Sequence, residues 1–254
     1  MRTDWNKVAG WYGKHLQGKD TYQSSLIFPN TLKLLRPKAG KHYLDIACGE
    51  GSFAVQLSSQ YKARVTGFDL APQLITQAKR KANRDCSFLI GDAMHFPQSV
   101  LKQQFDGATC ILAIQNIEDY VVVFEQAADV LKPGASLVIV LNHPAFRPPK
   151  QSGWGFDEQR KLQYRRVDTY LTPYHVAMSA HPGKRQTEHT VSFHHPLQDY
   201  VHALVQAGLV ITGLEEWTSN RSSLPGGRAK AENRSRQEFP LFLAIKAKKH
   251  VYKT

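Results

Sequence analysis

Three acids and a pair of glycines stand at the spacing a nucleotide site needs. Asp45 lies within the apolar run HYLDIA (42–47), and Gly49-Glu50-Gly51 follows at once. Asp69 closes a second run, ARVTGFD (63–69), and Asp92 a third, CSFLIGD (86–92). Glycines after a strand let the backbone approach a ligand closely, and an acid ending the next strand is placed to accept from both ribose hydroxyls. The segment GEGSFA also satisfies GxGxxA, so a nicotinamide dinucleotide competes for this loop. Asp45 argues the other way, because it would repel a pyrophosphate and tolerate a zwitterionic or cationic ligand. Asp92 sits where a purine amino group could be met.

Such residues converge only if their strands end together. Strand-like runs alternate with helical periodicity as far as Asn142. Helices are expected over 51–60, over 71–83 with Pro72 in the first turn, and over 118–131, stopping at Lys132-Pro133-Gly134. A fourth strand spans 105–114 and a fifth 135–142, which points to βαβ crossovers and a parallel sheet. The pattern then breaks. Residues 143–195 are rich in Pro, His, Arg and aromatics, with strand-like pieces at 163–171 and 186–195, and read as an inserted antiparallel cap. A helix (196–209) and a closing strand pair (210–217, 238–248) follow, joined by a polar, basic stretch, 219–237, expected to be a mobile loop. The chain thus divides into an N-terminal segment (1–40), a core (41–142), the cap (143–195) and a return to the core sheet (196–254).

Composition bounds the function. The chain has 254 residues, 42% hydrophobic and 21% charged, enough for one α/β domain with an embellishment. The N-terminus has no apolar core of signal-peptide type, and no apolar run approaches the roughly 20 residues of a membrane span. Cys48, Cys86 and Cys110 lack CxxC spacing, which argues for a reducing, cytoplasmic setting and against a zinc site or disulfide framework. A net charge of +12 raises nucleic acid as a partner, but Lys and Arg are spread out, with enrichment only in 147–166 and 221–236, so a basic solvated surface is favoured.

DIACGEG, GFDLAP, GDAMHFP, FDGATCILAIQNIEDY and LKPGASLVIV resemble, in order and spacing, the motifs of class I S-adenosylmethionine-dependent methyltransferases. The likeness is close over residues 40–142 and loose over 196–248. FDGATCILAIQNIEDY is similar to the fourth-strand motif of the ubiquinone/menaquinone-type enzymes, including its Asn-Ile-x-Asp ending. The resemblance implies a Rossmann-like, seven-stranded α/β sheet with an antiparallel last strand, and S-adenosylmethionine across the ends of the first, second and fourth strands. It assigns Asp45, Ala47, Gly49 and Gly51 to the methionine portion, with Cys48 contributing through backbone. It gives Asp69 to the ribose, Leu70 to the adenine face, Asp92 and Ala93 to the adenine edge, and Ile111 and Ala113 to the cofactor's back. The activity implied is methyl transfer to an oxygen, nitrogen or carbon of a small molecule. Alternatives are an RNA or ribosomal-protein methyltransferase, although ILAIQN replaces the N-P-P-Y type motif, an NAD(P)-dependent oxidoreductase, and a non-catalytic cofactor-binding module.

In-line transfer needs alignment, exclusion of water and sometimes a base, so it can proceed with no diagnostic residue. His143, after the fifth strand, could serve as that base or could simply cap the Asn-His-Pro turn. Gln115 and Asn116 could orient an acceptor, Asn116 being equally suited to a turn. Tyr12 and Tyr22 belong to an aromatic segment that could close over the site or pack as a helix. In the cap, Trp154, Tyr164, Arg166, Tyr170, His189 and His194 form a candidate wall for a planar or anionic acceptor. Its histidines lack acid or thiol partners at ligand spacing, so no metal is expected.

Overall fold

The computed structural model describes residues 21–179 and 189–251; Trp5, Trp11 and Tyr12 lie outside them. Seven strands form one sheet: β1 (His42–Ile46), β2 (Arg64–Asp69), β3 (Cys86–Ile90), β4 (Phe105–Ile111), β5 (Leu131–Asn142), β10 (Leu209–Trp217) and β11 (Phe242–Lys249). Their order is β10-β11-β5-β4-β1-β2-β3, and only β11 runs antiparallel to its neighbours. The central strands are buried on both faces, which is why they are near-continuous apolar runs.

Each face carries its own helices. Phe28–Leu35 (α1), Ser52–Tyr61 (α2) and Pro72–Lys81 (α3) bury Leu32, Leu35, Phe53, Leu57 and Ile75 against one side. A single turn, Gln98–Leu101 (α4), with Tyr120–Val130 (α5) and Leu197–Gln206 (α6), buries Val100, Phe124 and Leu204 against the other. Asp119 starts α5 by accepting from the Val122 amide at 3.2 Å. The helix ends at Val130, and Lys132-Pro133-Gly134 lies inside β5, where the pairing with β4 shifts register between Phe105 and Gly107. A register break is where a sheet tolerates a residue with no N–H.

The inserted cap is two separate hairpins, β6 (Ser152–Asp157) with β7 (Leu162–Val167), and β8 (Tyr174–Ser179) with β9 (His189–His194). The stretch expected to be wholly loop, 219–237, contains most of a helix, α7 (Ala229–Glu238). It is polar all round, so it shows no apolar stripe to read. It is instead pinned at a few points: the buried Ser235 hydroxyl donates to the Gln163 carbonyl at 3.0 Å, and Phe239 packs edge-on against Phe146 and Trp154. Among the described residues no helix is long and apolar enough to cross a membrane.

Candidate active site

Crossovers from β1 lead towards β2 and β3, whereas β4 and β5 lie on its other side, so the crevice beyond β1 and β4 is the sheet's switch point. The loop after β1 is shaped by backbone. Gly49 and Gly51 have φ of +57° and +78°, and Ala47 joins them at +53°. A Cβ on Gly51 would meet Phe88 at 2.7 Å and Ala78 at 2.9 Å, so that glycine lets α2 pack on β3 and α3. A Cβ on Gly49 would meet nothing within 4 Å. It would project instead into the crevice that Gly49 lines, which is the space a ligand needs.

Acids frame this cradle. Asp69 accepts from the Gly49 and Ala71 amides, each at 2.9 Å, so it both braces the loop and faces the crevice. Burial pushes its pKa up. Asp45 is buried and accepts from its cross-strand neighbour Thr109 at 2.8 Å. Burial raises its pKa to about 7, with the nearby Asp69 charge adding to the shift. A cation beside Asp45 would reverse that shift. Burial and the two acids hold the Cys48 sulfur as a thiol. Buried Glu50 lies beside Lys81. Further along, Asp92 accepts from the Met94 amide at 2.9 Å and lines the crevice with Ala93.

The walls are apolar. Leu70, Ile111 and Ala113 line the crevice. Leu74, Met94, Ile117 and Phe193 add to it and were not singled out, because apolar residues on helices, loops and strands read as core. Leu112 was also missed. It lines this crevice, the pocket beside Asp45 and Cys48, and a larger cavity under the cap, so it sits where all three meet. Its φ is +53°, a strained value for leucine, held by its backbone N–H donating to the Val140 carbonyl at 2.7 Å. Its own carbonyl accepts from Gln115 at 2.8 Å and Asn116 at 3.5 Å, and both these side chains line the cavity under the cap.

That cavity corrects several expectations. His143 is not on its wall: Nε2 donates to Glu216 at 2.7 Å, and Nδ1 accepts from the Ala145 and Phe146 amides at 3.2 and 3.3 Å. The ring caps its own turn. His195 lines the cavity instead, with Nδ1 3.8 Å from Asp199 and its ring 4.6 Å from that of Tyr120. Burial lowers its pKa, so the ring is neutral at pH 7. Arg166 points away and pairs with Asp168 at 2.9 Å, while its neighbour Arg165 lines the cavity. Trp154 and Tyr164 are largely exposed and His189 is exposed at the start of β9; none of the three is on the wall. Tyr170 supports the wall from behind, its hydroxyl accepting from the Leu197 amide at 3.1 Å and its carbonyl from His194 at 2.7 Å. His194 itself is on the wall. Tyr22 bonds Ser219 at 2.7 Å and packs on Phe242, and it is the next residue, Gln23, that reaches the cavity.

A seven-stranded sheet with a single reversed strand and a crevice at its switch point is the class I methyltransferase architecture. Residues 44–134 match the family described as "Methyltransferase domain". Over 123 residues the chain is 36% identical to the O-methyltransferase cnsE of Penicillium expansum, covering 45% of this chain and 44% of that one. Over 154 residues it is 30% identical to a demethylmenaquinone methyltransferase of Lactococcus lactis subsp. lactis, covering 58% and 60%. The chain therefore spans about half the length of the curated relatives it matches. Among solved structures, an S-adenosylmethionine-dependent methyltransferase from Mesorhizobium loti superposes with a TM-score of 0.68 at 23% identity, covering 87% of this chain and 96% of that one. Residues 44–134 are thus similar to a methyltransferase domain, and the sheet has the fold of S-adenosylmethionine-dependent methyltransferases.

Proposed function

We propose that the protein transfers a methyl group from S-adenosylmethionine to a small-molecule acceptor held under the cap. The observation that carries this reading is the meeting of three spaces at Leu112: an acid-lined nucleoside crevice, a pocket beside buried Asp45, and a second cavity roofed by the hairpins. The matches to O-methyltransferases and quinone methyltransferases support a small acceptor. The basic stretch behind the RNA alternative is partly occupied within the chain, where Arg236 donates to Ser223 at 3.1 Å and Arg228 pairs with Glu158.

In this reading Asp69 accepts from the ribose hydroxyls, Asp92 and the Ala93 backbone meet the adenine edge, and Leu70 covers its face. Asp45 and the Gly49 backbone hold the charged methionine end. When bound, the cofactor would supply an electrophilic methyl on positive sulfur that a nucleophilic acceptor atom could displace, the carbon–sulfur electron pair staying on sulfur. Gln115 and Asn116, anchored to the Leu112 carbonyl, orient the acceptor. His195, neutral and backed by Asp199, takes the acceptor's proton. Its depressed pKa predicts transfer that persists at pH 7 and falls as pH drops below the ordinary histidine value of about 6.5. A His195→Asn variant that kept the wild-type rate and acid limb would overturn the role of this residue.

The domain-level test is calorimetric titration with S-adenosylhomocysteine. Saturable heat is expected, and folded protein that gives none removes the proposal. Methyl-labelled cofactor incubated with metabolite extracts then identifies the acceptor by the product that gains the label.

A further inference from the structure

We propose that the cavity under the cap is an anion site, and that the methyl acceptor is a small molecule carrying a carboxylate or phosphate. This rests on the methyltransferase reading and narrows its substrate class. Three cations line the cavity: Arg147, Lys150 and Arg165. No Asp or Glu lines it among the described residues. Arg147 donates through Nη1 to Asn142 Oδ1 at 2.7 Å and to the Leu241 carbonyl at 3.3 Å. Arg165 donates through Nε to the Phe146 carbonyl at 2.6 Å and through Nη2 to the Ser152 hydroxyl at 2.7 Å. Every one of these partners is neutral. Lys150 has no hydrogen-bond or ion-pair partner among the described residues, and its φ of +59° fixes an unusual turn there.

Among the described residues the cap's other cations are compensated, Arg160 by Asp157, Lys161 by Glu158 and Arg166 by Asp168. The two cavity guanidiniums are each partly buried, and Arg147 feels the Arg165 charge beside it. Like charges held in a part-buried wall without an acid are unfavourable unless something anionic arrives. Arginine forks match carboxylate and phosphate oxygens in geometry as well as in charge. Arg147 lies over the Phe242 ring and Arg165 over the Trp154 ring, and their anchored N–H groups use only part of each fork, leaving Arg147 Nε and Nη2 and Arg165 Nη1 without a hydrogen-bond partner among the described residues.

The opposite end of the cavity completes the description. Leu112, Asn116 and Phe193 are shared with the nucleoside crevice, so an acceptor anchored at the arginines extends towards the transfer point. Gln115 lines this end, and its buried Oε1 has no hydrogen-bond partner among the described residues. An acceptor hydroxyl or amine would satisfy it. The recognised molecule therefore has an anion at one end and a nucleophilic O–H or N–H at the other.

The test uses the full chain saturated with S-adenosylhomocysteine, titrated at fixed ionic strength with 4-hydroxybenzoate, its neutral amide and inorganic phosphate. The carboxylate is expected to bind about tenfold or more tightly than the amide, and Arg165→Gln to remove most of that preference. Lys150→Ala, at an exposed position, should weaken the anion about threefold and serves as the second variant should Arg165→Gln fail to fold. Phosphate competing better than the carboxylate would assign a phosphorylated acceptor. If the cofactor product binds but neither anion does, or if both variants take up anion like the parent, the anion site is refuted and the methyltransferase reading stands. Anion heat with no S-adenosylhomocysteine heat would refute the acceptor assignment together with that reading.

Discussion

The two halves of the site are built from opposite materials. The crevice at β1, β2 and β4 is made by backbone and short acids: Gly49 leaves space, Asp69 braces two amides, and Asp45 is sealed in at a raised pKa of about 7. The cavity beneath the hairpins is made by long side chains from the segment after β5, from β7 and from β9, and its charge is positive. A sheet edge holds its geometry through the ladder, so it can grip a ligand through peptide groups. The cap has only two-stranded ladders, and its cavity is lined by side chains, each fixed by its own few bonds. The first half is thus committed to one kind of ligand, whereas the second can be retuned by single substitutions.

That contrast is broken most directly at the loop. Gly51→Val places a branched side chain at φ +78° against Phe88 and Ala78, with the first clash at 2.7 Å. We expect a loss of about 3 kcal/mol in chemical denaturation, from strain and overpacking together. Gly49→Ala should cost only about 1 kcal/mol in stability, since its Cβ meets nothing within 4 Å, yet abolish S-adenosylhomocysteine binding by filling the crevice. Equal stability losses in the two variants would mean that the loop does not separate packing from ligand space.

Next in size is Asp69→Ala. Losing the acid frees the Gly49 and Ala71 amides and removes the ribose acceptor, which should weaken S-adenosylhomocysteine by about 1–3 kcal/mol. Uptake of the anion probes by the cap should be unaffected in the same variant. A matching loss at both places would show that the halves are coupled through the loop.

Asp45 supplies a smaller, pH-dependent effect. Its folded pKa of about 7 lies above the ordinary carboxylate value of 3.8, so the folded protein without ligand holds a proton that the unfolded chain gives up. The stabilisation is complete below about pH 4 and lost as pH rises through about 7. A cationic ligand beside Asp45 favours the carboxylate, so binding near pH 7 should release roughly half a proton. Calorimetry in buffers of different ionisation enthalpy measures that number, and Asp45→Asn should bring it to zero. Buffer-independent heat in the parent protein would mean that the methionine end lies elsewhere.

The same division decides what could be read in advance. The crevice at the sheet edge was legible because each of its parts is local: an acid ends a strand, glycines follow, and the period of the neighbouring runs identifies the strands. The cap was not. Alternation along β7 was visible, but which face turns inward depends on its pairing with β6 and on how Phe239 packs against Trp154. The base was sought at His143 because it follows β5, but Glu216, distant in sequence, claims that ring, and the wall histidine comes from the end of β9. Leu112 carried no signal at all, since leucine is among the last residues expected at positive φ. Helix α7 was lost for the converse reason, having the composition of a loop and being held by scattered tertiary contacts, such as those of Ser235, Arg236 and Phe239, rather than by an apolar stripe.

The smallest expected effect tests the register that places the cap's charge. Arg165 and Arg166 are consecutive on β7, so their side chains leave opposite faces. Arg165 bridges Phe146 and Ser152 at the cavity wall, whereas Arg166 makes an exposed pair with Asp168. Exposed pairs contribute about 0–1 kcal/mol, so Arg166→Ala should shift the denaturation midpoint barely measurably and leave both titrations unchanged. The sequence offers no reason to distinguish these neighbours, because both are arginines in a basic strand. Only the pairing of Trp154 with Arg165 and of Gly153 with Arg166 separates them. An Arg166→Ala variant that lost anion uptake would therefore indicate a strand slipped by one residue. A one-residue slip turns every side chain of β7 over, so the cavity would then be walled by the face now assigned to solvent.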